Sequence, residues 1–235
     1  IKKFDLFLVT SPESIAWLLN LRGADLKYTP LVFSRLLIQK DSKHKLFINK
    51  EKISQKLHDR LSKFGIRVFS EEKIEEEIKK IKKTKKICLD INSPYFFYEI
   101  LKKINGNVYL LNDPCKKLKS IKNCTELNNS KKAHIIDGIA LIKFFCWFEN
   151  QKTSDKFNEI SVAKKLEYYR RNNKNFLSLS FPTISSSGKN GAIIHYNPTK
   201  ETNTVIKSGD IFLCDSGAQY KYGTTDITRT VYVGS

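Results

Sequence analysis

The sequence predicts an α/β layer domain followed by an α+β domain. In the first half, short apolar runs alternate with helix-type patterns, as strands and helices do when they pack in layers. In the second half, two helical stretches come first and strand-like runs follow. Between the halves, Asp113-Pro114 and the basic, turn-prone segment 116–123 interrupt both patterns. The domains are therefore placed at residues 1–121 and 122–235.

Each element has a local reason. Residues 4–9 (FDLFLV) read as a strand, and Ser11-Pro12 starts a helix with a hydroxyl cap and proline in its first turn. Strands follow around 31–39 and 45–49, then a helix near 52–64 and a strand at 66–69. The run 71–86, opening EEKIEEEIKK, reads as one charged helix with a solvated face. A strand at 87–90, a helix opened by Ser93-Pro94, an Asn-Gly-Asn turn at 105–107 and a strand at 108–111 complete the first domain. In the second, 125–150 reads as one long helix with Ala133, Ile136, Ala140, Phe144 and Trp147 at helical spacing. A loop at 151–156 leads to a helix at 159–172. Strands are expected at 176–179, 192–196, 210–215 and 228–233, with SSSGKNG (185–191) as a loop carrying Lys189 and Asn190 on the surface.

Bulk properties exclude several classes. At 235 residues and 40% hydrophobic, the chain can bury a sizeable core and is not disordered by composition. No apolar run approaches the ~20 residues of a membrane span. The formal net charge is +18, but most basic residues are lysines spread along the chain, and the aromatics follow core periodicities. A basic nucleic-acid-binding module is therefore the weaker reading, and no nucleic acid or membrane partner is expected. The five cysteines, at 88, 115, 124, 146 and 214, form no CxxC pair and fit reduced, buried thiols of a cytoplasmic protein. The chain starts at Ile1 and holds no methionine, so a natural N-terminus upstream is expected.

The candidate chemistry lies near the end. Asp215 and Asp226 are eleven positions apart, on or beside strand-like runs with glycine-containing turns between them. A hairpin would bring the carboxylates together, and adjacent carboxylates call for a counter-charge, which a metal pair supplies. Turn-capping aspartates are the alternative. His195, placed at the end of the apolar run GAII, could ligate a metal, donate a proton or hold a carbonyl, or be structural. Cys214 reads as packed inside the sheet, and the His134/Asp137 pair as a helix cap or inter-helix contact. Trp17 reads as buried and Arg22–Asp25 as a structural ion pair.

Several phrases together resemble a known family. SFPTISSSGKNGAIIHYNP (180–198) and LCDSGAQYKYGTTDITRTV (213–231) resemble the catalytic domain of Xaa-Pro aminopeptidases, the prolidase branch of the methionine-aminopeptidase-like, pita-bread metallopeptidases. AHIIDGIALIKFFCWFE (133–149) is similar to the first long helix of that domain, and SPESIAWLLNLRGADLKYTP (11–30) to the creatinase-like domain before it. The resemblance implies a creatinase-like α/β domain and an α+β pita-bread domain that is truncated. It implies Asp215 and Asp226 as metal ligands and His195 as the catalytic histidine contacting substrate near the scissile bond. The implied cofactors are two divalent ions, manganese first, with zinc or cobalt as alternatives. The implied reaction removes the N-terminal residue from peptides with proline second, through a metal-activated hydroxide. A cytoplasmic homodimer is implied for the full-length protein.

In the family, one histidine and two glutamates complete the ligand set after the second aspartate. Here the sequence stops at Ser235, so the chain alone is expected to be inactive, to bind metal weakly and to expose a sheet edge. A non-catalytic, partner-binding member or fragment of the same fold is the alternative function.

Overall fold

The computed structural model describes residues 3–41, 43–104, 106–151 and 156–234. The expected turn at 105–107 and loop at 151–156 fall partly on residues outside these. The chain forms two compact units, one of residues 1–26 and 30–121, the other of 27–29 and 122–235.

The first unit is built on β1 (Leu6–Val9), α1 (Pro12–Leu19), β2 (Ser34–Gln39), β3 (His44–Ile48), α2 (Gln55–Lys63), β4 (Ile66–Phe69), α3 (Ile74–Lys79), β5 (Ile87–Asp90), α4 (Tyr95–Ile104), β6 (Val108–Leu111) and α5 (Pro114–Ser120). Its strands form one mixed sheet in the order β4-β3-β2-β1-β5-β6. Every residue of β1 is buried, as its unbroken LFLV requires. Phe7 and Val9 pack with Ile15 of α1 and Leu61 of α2 on one face. Leu6 and Leu8 pack with Ile78 of α3 and with Phe97 and Leu101 of α4 on the other. The result is the helix–sheet–helix layering expected from the alternation.

α1 begins as the sequence indicates, with Ser11 capping Ser14 N and Pro12 in the first turn. Three local expectations are corrected. The charged run 71–86 is helical only at Ile74–Lys79, after a 3-10 turn at Glu71–Lys73. The i,i+4 pairs Glu75–Lys79 and Glu76–Lys80 support that short helix. Beyond Ile81 the KKTKK segment offers no apolar residue to hold a further turn on the sheet. Arg22 does not pair with Asp25; its Nη1 donates to Ala16 O and Leu21 O at the end of α1. Asp25 instead accepts from Lys52 Nζ at 2.7 Å and Phe33 N at 2.8 Å. Trp17 is half-buried rather than buried.

The second unit opens with α6 (Cys124–Glu149) and α7 (Glu159–Arg171), each started by a capping box, on Asn123/Glu126 and Asn158/Ser161. Its strands are β7 (Phe176–Leu179), β8 (Ile184–Ser187), β9 (Ile211–Ser216), β10 (Ala218–Tyr220) and β11 (Ile227–Tyr232). β7 pairs with β10, while β11-β9-β8 form an antiparallel sheet in which β11 is an edge. Leu141, Phe144 and Phe148 of α6 and Val162 and Leu166 of α7 pack on Phe212 and Cys214 of β9. Phe148 stacks on Phe212 with ring centroids 4.8 Å apart.

Several expectations fail in this unit. Residues 184–187 are a strand and not a loop. Its serines tolerate burial because Ser185 Oγ donates to Glu159 O at 2.8 Å and Ser187 Oγ donates to Asp210 Oδ2 at 2.8 Å. Conversely, 192–196 is not a strand. A 3-10 turn at Gly188–Ala192 runs into an irregular turn in which Ile193 and Ile194 are exposed. The buried Asn190 side chain, also contrary to expectation, pins this segment from within.

The thiols divide sharply. Cys88, Cys115 and Cys214 are buried, whereas Cys124 and Cys146 lie exposed on α6, against the expectation that all are buried. Burial pushes the Cys115 thiol up to about 12 and that of Cys214 up to about 11. At mildly alkaline pH these two stay protonated and unreactive. A chromogenic disulfide reagent should therefore titrate two thiols in the native chain and five after denaturation. A third fast thiol in the native chain would contradict the packing described.

Candidate metal centre

Asp215 lies on β9 and Asp226 immediately precedes β11. The two strands pair antiparallel, with Thr228 opposite Asp215 and Ile227 opposite Ser216. The link between them is not the simple hairpin expected, because β10 departs to pair with β7. Gly217 makes this departure feasible. A Cβ there would overlap the Thr225 carbonyl oxygen and Ser180 Oγ, which are themselves hydrogen-bonded at 2.9 Å. Gly217→Ala should cost about 1–3 kcal/mol through overpacking and displace residues 225–226. Urea denaturation reads the cost, and a loss under 0.5 kcal/mol would show that the approach is not tight.

Asp226 is held through its neighbour. Thr225 N donates to Ala218 O at 2.9 Å, and Ala218 N donates to Thr225 Oγ1 at 3.0 Å. Thr225 Oγ1 in turn donates to Asp137 Oδ2 at 3.0 Å. Asp137 is fully buried on α6. It accepts from Arg170 Nε at 2.8 Å and Nη2 at 2.9 Å, and from Tyr220 OH at 2.7 Å. Arg170, on α7, is also fully buried. This pair joins α6, α7, β10 and the approach to β11. The inter-helix reading of Asp137 is what the structure shows. His134, exposed, contacts Ser130 O of its own helix. The breadth of the Asp137 network was not visible in the sequence, although an aspartate on a buried helical stripe with Ala133, Ala140 and Phe144 was the available signal.

The carboxylates are electrostatically coupled. Desolvation, and then the negative charge of Asp215, hold the Asp226 carboxyl above the ordinary carboxylate range. Asp215 Oδ1 is buried and has no hydrogen-bond partner among the described residues. A buried carboxylate oxygen without a donor is destabilising unless something fills its coordination sphere. Hard oxygen ligands of this kind suit a divalent cation, so the residues fit the metals implied by the sequence. Among the described residues no third histidine, cysteine, aspartate or glutamate joins the pair.

Among the described residues His195 does not join the pair in a metal-holding group. It is exposed, in the turn after the 3-10 segment and not at a strand end, with φ of 57°, a left-handed conformation that few non-glycine residues adopt. Cys214 is buried as expected, its Sγ 3.8 Å from Ser216 Oγ.

The comparisons with known proteins agree with this architecture. The creatinase/prolidase N-terminal domain matches residues 1–126, and metallopeptidase family M24 matches residues 128–235. The fold thus falls in a metallopeptidase class. The chain belongs to the creatinase/prolidase family, with its N-terminal domain followed by an M24 region. It is 40% identical over 238 residues to a Xaa-Pro aminopeptidase of Drosophila melanogaster, covering 99% of this chain and 38% of that protein. It is 41% identical over 241 residues to Xaa-Pro aminopeptidase 1 of Dictyostelium discoideum, covering 98% and 37%. The structure of an X-prolyl aminopeptidase from Caenorhabditis elegans, described as a cytosolic enzyme with a di-nuclear active site, superposes with a TM-score of 0.90 at 30% identity. That match covers 100% of this chain and 39% of the other. A prolidase from Pyrococcus horikoshii superposes with a TM-score of 0.72 at 26% identity, covering 100% and 62%. The chain therefore spans under two fifths of the length of the Drosophila and Dictyostelium relatives.

Proposed function

We propose that this chain is the metal-carrying part of an aminopeptidase that removes the N-terminal residue from peptides with proline second. The observation that carries the reading is the coupled pair Asp215 and Asp226, with its donorless buried oxygen, in an M24 region. In this reading residues 1–121 are the creatinase-like domain and 122–235 the pita-bread part. Asp215 and Asp226 hold two divalent ions, with manganese first and zinc or cobalt as alternatives. When bound, such ions polarise a carbonyl and make water nucleophilic near neutral pH. The chain's own residues do the rest. The aspartates fix the position of the centre between β9 and β11. Asp137, Tyr220 and Thr225 keep the second aspartate in register. His195, exposed on its turn, takes a hydrogen bond to the peptide beside the scissile bond. The acting protein is proposed to be a cytoplasmic homodimer. Among the described residues no helix is long and apolar enough to cross a membrane.

Two carboxylates are too few for a complete dinuclear site. We therefore propose that the 235-residue chain alone is inactive and binds metal weakly. Two measurements test the reading. Release of the first residue from a proline-second peptide, against its alanine-second counterpart, is measured in a protein containing this chain, with and without a chelator. Cleavage that ignores the chelator, or shows no preference for proline, would sink the peptidase assignment and favour the non-catalytic alternative. Calorimetric titration of the 235-residue chain with Mn²⁺ should show weak binding, and tight stoichiometric binding would overturn the second proposal.

A further inference from the structure

Glu159 is fully buried at the first position of α7, and among the described residues no lysine or arginine pairs with it. A buried carboxylate survives only if hydrogen bonds replace its hydration. Here four groups donate. Ser187 N reaches Oε1 at 2.7 Å and Asn190 Nδ2 reaches the same oxygen at 3.0 Å. Tyr196 OH reaches Oε2 at 2.8 Å and Thr204 N reaches it at 3.0 Å. The N-terminal end of α7 adds its own favourable field.

These donors come from both ends and the middle of one loop, residues 187–204, and that loop carries His195. Ile193, Ile194 and His195 are exposed, whereas Tyr196 is 5% exposed, so the turn is tied down from within immediately after the histidine. Tyr196 OH and Asn190 Nδ2 are also 3.0 Å apart, which closes the network around the turn. A non-glycine residue at φ of 57° persists where its surroundings over-determine it. The turn is also closed by a backbone bond from Tyr196 N to Ile193 O at 3.2 Å, so Glu159 anchors the residue that closes it.

We infer that Glu159 is a positioning residue: acting through Tyr196 and Asn190, it holds the His195 backbone left-handed and so sets where the imidazole meets the peptide. The inference rests on the reading of His195 as a substrate contact. A glutamine cannot replace Glu159, because both oxygens accept from N–H groups and an amide would set donor against donor at one of them.

The test has two arms, the first on the chain itself and the second on a protein containing this chain. In the first, the backbone scalar coupling and carbon shifts of His195 are followed by NMR in Tyr196→Phe, Glu159→Gln and Ser185→Ala. The first two should lose the left-handed signature. Ser185→Ala removes a nearby buried hydrogen bond to Glu159 O; it should lower the melting temperature and leave His195 unchanged. A His195 that stays left-handed in Tyr196→Phe, or moves equally in Ser185→Ala, overturns the inference. In the second arm, the affinity for a proline-second peptide in the presence of Mn²⁺ is measured for Tyr196→Phe, His195→Ala and the double variant. Each single variant should weaken binding about tenfold, and the double should equal His195→Ala alone. Additive losses would show that Tyr196 acts by another route and overturn the positioning role. Unchanged affinity in His195→Ala removes the substrate role of the histidine and the functional half of the inference with it; the first arm still decides the geometry.

Discussion

Asp137→Ala should destabilise the second unit by about 3–5 kcal/mol, the range for removing one partner of a buried ion pair. Arg170 is 0% exposed, and its guanidinium would lose both bonds to the carboxylate while remaining charged. Its Nη1 already lacks a partner among the described residues, so no spare acceptor is at hand. Tyr220 OH and Thr225 Oγ1 would lose their acceptor in the same step. Against a typical total of about 5–15 kcal/mol, such a loss leaves the unit partly unfolded at ordinary temperature. The two tryptophans, Trp17 and Trp147, lie in different units. A Trp17→Phe background therefore lets fluorescence in urea report on the second unit alone. Asp137→Leu combined with Arg170→Leu should recover part of the loss, since it removes the uncompensated charge. A cost below about 1 kcal/mol for Asp137→Ala would mean that water reaches the pair.

The second large effect concerns the metal. In a protein containing this chain, Asp215→Asn should lower Mn²⁺ affinity by more than the 10–100-fold that supporting residues around metals typically contribute. The metal-free variant should nevertheless be at least as stable as the wild type. The fold holds the Asp226 carboxyl above its ordinary value, so the ionised form is disfavoured in the native state. That penalty is absent at a pH where the carboxyl is protonated in both states. It comes into force as pH rises through the folded value. Removing the neighbouring charge should therefore raise the melting temperature at neutral pH and change little in acid. Thermal scans with and without Mn²⁺ at the two pH values read both effects. An equal response of wild type and variant to Mn²⁺ would remove Asp215 from the site.

What the sequence could and could not reveal follows from the range of the interactions. The layered first domain was legible because strand and helix periodicities, and the Ser11-Pro12 start, are written in adjacent residues. Asp215 and Asp226 were legible because they lie close in sequence within distinctive phrases. The turn around His195 was not. GAII has the composition of a strand, but the conformation of this stretch is set by Glu159, which lies 31 positions before Asn190 and 37 before Tyr196. The serines of β8 looked like loop residues for the same reason, since their hydroxyl partners at 159, 210 and 213 are remote in sequence. The run 71–86 has helical composition throughout, yet tertiary packing stops the helix at Lys79.

The reach of Asp137 bears on the order of folding. Its bonds to Arg170, Tyr220 and Thr225 close loops of 33, 83 and 88 residues. Contacts so distant along the chain pay their closure entropy before they are rewarded, and they form slowly. α6 and α7 can dock soon after their residues are available, but Asp226 comes into register only when the last strands arrive. If the proposed reading of the pair holds, metal competence is a late event, acquired with the final contacts of the second unit and not by a local loop. A metal-binding signal followed during refolding would report completion of that unit, and a nascent chain that ends before residue 226 would carry only one carboxylate of the pair.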